Sequence, residues 1–265
     1  MIPHALTIAG SDSGGGAGIQ ADLKTFSALG AYGMSVLTAL TAQNTRGVSA
    51  VHAVPPAFVS AQIDAVFSDI RVDAVKFGML ANAGIVRAAA AGIACHQPAY
   101  VVLDTVMVAK GGHPLLDLEA VAAIRHELMP LASLITPNLP EAAALLEADV
   151  AEDEEGMRQQ GRALIAAGAE AVLMKGGHLA AEDSPDWLIT RSDEIRFAYP
   201  RVATRNTHGT GCTLSAALAA LRPLHGDWIS TVAAARQYLQ EALEAADRLH
   251  IGHGIGPVHH FHAWW

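Results

Sequence analysis

Ala5-Leu6-Thr7-Ile8-Ala9-Gly10 runs directly into Ser11-Asp12-Ser13-Gly14-Gly15-Gly16-Ala17-Gly18. The first five residues form a short apolar run bounded by glycine, which reads as a buried strand. Beyond the glycine loop, Ile19, Leu23 and Phe26 recur at helical spacing, and Gly30 suits a helix end. The loop therefore joins a strand to a helix. A second loop, Asn206-Thr207-His208-Gly209-Thr210-Gly211-Cys212-Thr213, leads into Leu214 to Leu221, a run of Ala and Leu with no breaker before Pro223.

Working outward, the same alternation continues. Strands are predicted at Met34 to Gln43, Val51 to Val54, Ala74 to Gly78, Tyr100 to Leu103, Ser133 to Thr136 and Ala171 to Lys175. Helices are predicted from Ala57, from about Asn82, over Leu116 to Leu128, from Pro140, over Gly156 to Ala167 and from Trp228 to Leu249. Asp186 to Arg191 and Ile195 to Tyr199 flank Ser192-Asp193-Glu194 as a β-hairpin. Strands alternating with helices predict an α/β fold: a mostly parallel central sheet with helices on both faces. No internal repeat, low-complexity linker or composition break divides the chain, so one domain is expected.

Composition narrows the function classes. The 265 residues are 51% hydrophobic and 16% charged, with a net charge of −9 and no basic run. That balance argues against nucleic acid or an anionic membrane as the main partner. No apolar run reaches the roughly 18 residues of a membrane span. No basic segment precedes an apolar one at the N-terminus, so no signal peptide is read. Cys95 and Cys212 are the only cysteines and build no disulfide framework, which points to a reducing cytoplasm.

The second glycine loop is the strongest chemical signal. At a helix start the first backbone N–H groups lack intrahelical acceptors, and the peptide dipoles add partial positive charge. Gly209, Thr210 and Gly211 there can cradle an anion such as a phosphoryl group, or can simply form a tight turn. Cys212 at the same start is expected to have a lowered pKa and could serve as a base, or could be a small buried hydrophobe. Gly-x-x-x-x-Gly-Lys-Ser/Thr is absent from the first loop, which excludes a classical P-loop. Gly-x-Gly-x-x-Ala occurs at Gly16 to Ala21, but no acid follows near the end of the next strand, so a dinucleotide site is disfavoured.

Other candidates stand at strand ends, where open α/β sheets bind ligands. Gln43 is placed to read a polar heterocycle, or is a turn residue. Asp22 could bind a ring amine or favour its helix dipole. Asp104 could cap the next segment or act near a metal and phosphate. Asn138 and Glu141 have capping-box spacing with Pro140 in the first turn, and Glu141 could also help hold Mg²⁺. Lys175, beside Gly176 and Gly177, is a phosphate contact or a solvated charge. Lys110 to His113 reads as a flexible loop. The clustered histidines of Ile251 to His262 suggest a transition-metal site, but no cysteine or carboxylate is nearby to complete one, and packing or local bonding is the favoured alternative.

Taken together, these stretches resemble the hydroxymethylpyrimidine/phosphomethylpyrimidine kinases of thiamine biosynthesis, in the ribokinase-like superfamily. The matching segments are Ala9 to Thr25, Thr38 to Thr45, Lys76 to Leu80, Val102 to Met107, Thr136 to Ala142, Lys175 to His178, Asn206 to Cys212 and Gly256 to His262. They span essentially the whole chain in family order. Thr105 departs from the pattern, where many relatives have proline, and is expected to alter loop stiffness rather than chemistry. The resemblance implies a three-layer αβα sandwich and two successive ATP-dependent phosphorylations of a pyrimidine. It implies Cys212 as the base, with the amides of Gly209, Thr210, Gly211 and Cys212 around the transferring phosphoryl group. It places Gln43, Asp22, Ala17, Met79 and Val106 at the pyrimidine, and Lys175, Asn138 and His208 at ATP. Glu141 and Asp104 fall at Mg²⁺. It also implies a homodimer and leaves room for a monovalent cation. A pyridoxal kinase of the same superfamily and a non-catalytic pyrimidine-binding protein are the rival readings.

Overall fold

A computed structural model describes residues 1–107, 117–179 and 183–265. The expected Lys110 to His113 loop and Leu116 lie outside the described residues. The strands are β1 (His4–Asp12), β2 (Tyr32–Asn44), β3 (Gly47–Ala53), β4 (Ala74–Phe77), β5 (Tyr100–Leu103), β6 (Leu134–Ile135), β7 (Val172–Lys175), β8 (Asp183–Ile189) and β9 (Glu194–Pro200). The helices are α1 (Gly18–Ala28), α2 (Pro56–Phe67), α3 (Ala83–His96), α4 (Leu118–Ala123), α5 (Leu139–Leu146), α6 (Glu154–Ala166), α7 (Thr210–Leu221) and α8 (Trp228–Glu244).

The strands form one sheet in the order β3-β2-β1-β4-β5-β6-β7-β8-β9. β2, β1, β4, β5, β6 and β7 pair in parallel, while β3 at one edge and β8 and β9 at the other run antiparallel. The predicted hairpin is present, and Val51 to Ala53 belong to the longer strand β3, folded back on β2, with Val54 just beyond its end.

Side chains alternate across the sheet with period two. Leu6, Ile8, Val75, Phe77, Val101 and Leu103 pack on the face covered by α2 to α6. Ala5, Ala74 and Val102 face α1, α7 and α8. The small residues of α7, from Ala216 to Ala220, are fully buried and let the helix lie close to the sheet.

Two local features follow from backbone chemistry. α7 starts at Thr210, so Cys212 lies in its first turn as read from the sequence, and Gly209 in the left-handed region (φ 80°) is its cap residue. The predicted helix to Leu128 leaves α-geometry after Ala123, in a wider turn over Ile124–Leu128 before Pro130. A proline cannot donate the next helical hydrogen bond.

β1 is the branch point of the sheet: the chain leaves it toward β2 on one side and β4 lies on the other. In open α/β sheets a ligand crevice forms at the carboxyl end of such a switch. Asp12, Gln43, Gly78, Asp104 and Lys175 all stand at or next to that end of their strands.

Candidate active site

Asp12, the last residue of β1, holds the first glycine loop. Its Oδ1 accepts from Gly14 N–H (2.8 Å), and Oδ2 accepts from Gly16 (3.1 Å) and Ala17 (2.9 Å). His208 Nε2 lies 2.9 Å from the same Oδ2. Burial alone would raise this carboxyl, but the His208 and amide hydrogen bonds hold it below its ordinary value. Sequence reasoning passed over Asp12; its signal was an acid closing a buried strand just ahead of a glycine loop.

The two glycine loops meet backbone to backbone. A Cβ on Gly18 would overlap the Gly10 carbonyl oxygen, and one on Gly209 would overlap that of Gly16. With no side chains between them, α1 and α7 both begin at the same crevice. In α7 the first helical bond is Thr213 N–H to Gly209 O (2.8 Å), so the amides of Thr210, Gly211 and Cys212 precede the intrahelical ladder. Three amides free of the helical ladder at one helix start are the arrangement that an anion site there requires.

Cys212 is half-buried in that first turn. Its thiol is not lowered as the helix start led us to expect. Burial pushes it up to about 11; Lys76 and the Gly18 amide pull it down, while Asp22 and Asp104 push it further up. Desolvation of a thiolate between two carboxylates outweighs a helix start.

Asp22 likewise differs from its expected place at a substrate amine. It is fully buried, its oxygens taken by Lys76 Nζ (2.8 and 2.9 Å) and Thr7 Oγ1 (2.6 Å). Lys76 comes from β4 and points to the α1 side of the sheet, where burial works against its charge but Asp22, Cys212 and Asp104 raise its pKa. Burial pushes the Asp22 carboxyl up against the pull of Lys76. Lys76 stood inside a matching segment but carried no site role in the sequence reading, because a lysine in a four-residue strand gives no sign of what it faces.

On the other flank stands a carboxylate–ammonium cluster. Lys175 Nζ lies 3.0 Å from Asp104 Oδ1 and 3.7 Å from Glu141 Oε2. Asp104 also accepts from Thr136 Oγ1 (3.3 Å) and Ser215 Oγ (3.2 Å). Burial would raise Asp104, but Lys175 and Lys76 hold it below the ordinary carboxylate range. A Cβ placed on Gly211 would lie 3.6 Å from Asp104 Oδ2 and 3.7 Å from Lys175 Nζ, so the cluster adjoins the start of α7.

Asn138 and Glu141 form the full capping box of α5, each side chain bonded at 2.9 Å to the other's backbone N–H. Glu141 Oε2 further accepts from Thr105 Oγ1 (3.0 Å), so Thr105 enters the carboxylate network rather than merely relaxing the loop. Burial pushes the Glu141 carboxyl up.

Two buried carboxylates suit Mg²⁺, which commonly takes one or two protein carboxylates and leaves its other positions to water and phosphate oxygens. Among the described residues no group of three or more metal-ligating side chains occurs, the tail histidines included. His259 and His260 are buried instead, His260 Nε2 lying 3.1 Å from Thr213 Oγ1.

Gln43 and His208 form the third corner. Gln43 Nε2 is 3.3 Å from His208 Nε2, and the Gln43 backbone carbonyl accepts from Ser13 Oγ (2.8 Å). His208, expected at the nucleotide, thus sits beside the residue expected at the pyrimidine. Ala17 donates to Asp12, Met79 packs its methyl group toward Gly10, and Val106 follows β5 half-buried.

Residues 12–259 match the family model described as phosphomethylpyrimidine kinase. The chain is 65% identical over 262 residues to the hydroxymethylpyrimidine/phosphomethylpyrimidine kinase of Escherichia coli (strain K12), covering 99% of this chain and 98% of that one. Among solved structures, a phosphomethylpyrimidine kinase from Clostridium difficile 630 matches with TM-score 0.80 and 42% identity, over 91% of this chain and 99% of that one. An ADP complex of Bacillus subtilis pyridoxal kinase matches with TM-score 0.90 and 36% identity, over 98% of each chain. The sandwich is ribokinase-like, and its crevice brings a glycine cradle, a thiol and paired carboxylates to one end of the sheet. On these grounds the chain belongs to the phosphomethylpyrimidine kinase family.

Proposed function

We propose that this chain uses ATP to phosphorylate the hydroxymethyl group of 4-amino-5-hydroxymethyl-2-methylpyrimidine, and then phosphorylates the resulting monophosphate to the diphosphate. The observation that carries the reading is the start of α7: unladdered amides of Thr210, Gly211 and Cys212, with Asp104 and Lys175 beside Gly211. Phosphoryl transfer needs mainly alignment and charge stabilisation, which such amides and a lysine supply. In the first transfer the alcohol oxygen bonds to the γ-phosphorus as the bond to the ADP oxygen breaks. The alcohol proton passes to Cys212 Sγ in its thiolate form, a form that burial disfavours and the nearby Lys76 ammonium favours, and leaves it a neutral thiol. In the second transfer the acceptor is already an ionised phosphate oxygen, and no proton need be removed.

Mg²⁺, when bound, supplies charge neutralisation at the ATP phosphates; Asp104 and Glu141 would hold it, in part through water. Asn138 and Lys175 serve the nucleotide side, while Gln43, Ala17, Met79 and Val106 surround the ring. Asp22 acts through Lys76 rather than on the substrate. The chain works as one domain, in the cytoplasm and as a homodimer, in which a second copy would cover exposed apolar β2–β3 residues such as Leu40 and Val51. A monovalent cation requirement would appear as a rate difference between potassium and sodium buffers.

The test is mass spectrometry of products from the pyrimidine alcohol with Mg-ATP, run beside pyridoxine. One and then two added phosphates on the pyrimidine support the reading. Phosphorylation of pyridoxine alone, or of neither ring, overturns it.

A further inference from the structure

The groups around the Gln43 side chain decide which way its amide faces. Thr41 Oγ1 has one hydrogen, and the Ser11 carbonyl 2.8 Å away can only accept it. Thr41 therefore faces the Gln43 amide, 3.1 Å away, with a lone pair. At the other end, Asp12 Oδ2 already accepts two backbone N–H groups and is an anion. The His208 Nε2 bonded to it at 2.9 Å must carry a hydrogen, and so has no lone pair to offer Gln43 at 3.3 Å. With Oε1 toward Thr41 and Nε2 toward His208, two acceptors face each other at one end and two donors at the other. Rotating the amide by half a turn removes both conflicts, and such an oxygen–nitrogen choice is settled by the surrounding network.

We infer that the Gln43 amide stands with Oε1 toward His208 and Nε2 toward Thr41, and that His208 thereby determines which edge of a flat nitrogen heterocycle the site accepts. The amide then offers one free Nε2 hydrogen and one free Oε1 lone pair in a fixed order. That order matches a ring nitrogen on the Thr41 side next to an exocyclic amine on the His208 side. A pyridine ring that lacks an amine beside a ring nitrogen leaves one half of the amide unpaired. Unpaired polar groups in a site discriminate more strongly than small differences in ring size. His208 is a positioning residue here: it acts through Gln43 and need not touch the reacting atoms. The edge assignment deepens the proposed pyrimidine reading and rests on it; the amide orientation does not.

Two measurements test this. In the wild-type protein, nuclear Overhauser contacts of the Gln43 side-chain amide protons, assigned by their loss in Gln43→Glu, should reach the Thr41 methyl group and miss the His208 ring. Contacts to the His208 ring alone would overturn the orientation. In His208→Phe, which keeps a flat ring without the N–H, KM for the aminopyrimidine alcohol should rise about tenfold with little change in kcat. Its preference over pyridoxine should fall by a similar factor, and His208→Asn, which retains a donor, should recover part of it. Equal losses for both rings, or a loss confined to kcat, would overturn the role of His208. If wild-type protein phosphorylates neither ring, the kinase reading fails while the amide contacts still decide the orientation.

Discussion

At Cys212 two effects oppose each other. The start of α7 and the Lys76 ammonium favour a thiolate, while burial beside Asp22 and Asp104 disfavours it, and the thiol ends near 11. At neutral pH only about one molecule in 10⁴ would then carry the thiolate in the free protein. A base so weakly ionised contributes modestly, and only where a proton must leave. Cys212→Ala is expected to slow the first transfer by about 10²-fold and the second by much less. Separate assays of the two steps check this; equal losses would remove Cys212 from the proton path.

Asp12 gives a prediction with a definite sign. Its folded carboxyl lies below the ordinary value, so the unfolded chain binds the proton more tightly. The stabilisation is complete above roughly pH 4 and fades as pH falls through the folded value. Asp12→Asn should therefore cost about 2 kcal/mol at pH 7, and the gap from wild type should narrow toward pH 3. Urea midpoints at both pH values decide it; a gap that stays constant would show that charge plays no part.

At the scale of elements, α5 carries two functions on one residue. Glu141 closes the capping box at the backbone of Asn138 and faces Lys175 across the proposed Mg²⁺ site. Glu141→Gln keeps an acceptor for the Asn138 N–H and removes the charge. The melting temperature should shift by no more than a few degrees, since a whole cap is worth about 1 kcal/mol. The Mg²⁺ concentration for half-maximal activity should rise by about tenfold or more. A large thermal loss with unchanged Mg²⁺ dependence would assign Glu141 to the helix alone. The same duality explains why this pair was ambiguous in sequence: spacing reveals a cap, but not the Thr105 hydroxyl from the segment after β5 or the Lys175 ammonium at the end of β7.

For the whole molecule, one sheet carries a core on each face, and β1, β4 and β5 contribute side chains to both. Neither face can lose its helices without exposing the strands that support the other. A single cooperative transition is expected, with far-ultraviolet circular dichroism and tryptophan fluorescence coinciding. Mg-ATP together with the pyrimidine should move it upward, because ligands bind only the folded crevice. Two separated transitions would refute the single-domain reading.

Much of this was written along the chain. Apolar runs of strand length set between helical stretches determined the parallel sheet and its two covers, since period and length are local properties. The glycines at Gly15, Gly18 and Gly209 marked the two loops, because their positive φ is a conformation few other residues tolerate. What only the tertiary structure decided is the company each side chain keeps. Asp22 became the buried partner of Lys76, His208 joined Gln43 and Asp12, and Cys212 was desolvated between carboxylates. Those pairings join residues between 54 and 196 positions apart, as for Lys76 with Asp22 and His208 with Asp12. Electrostatic energy depends on distance and burial in space, and neither can be read from neighbours in the chain.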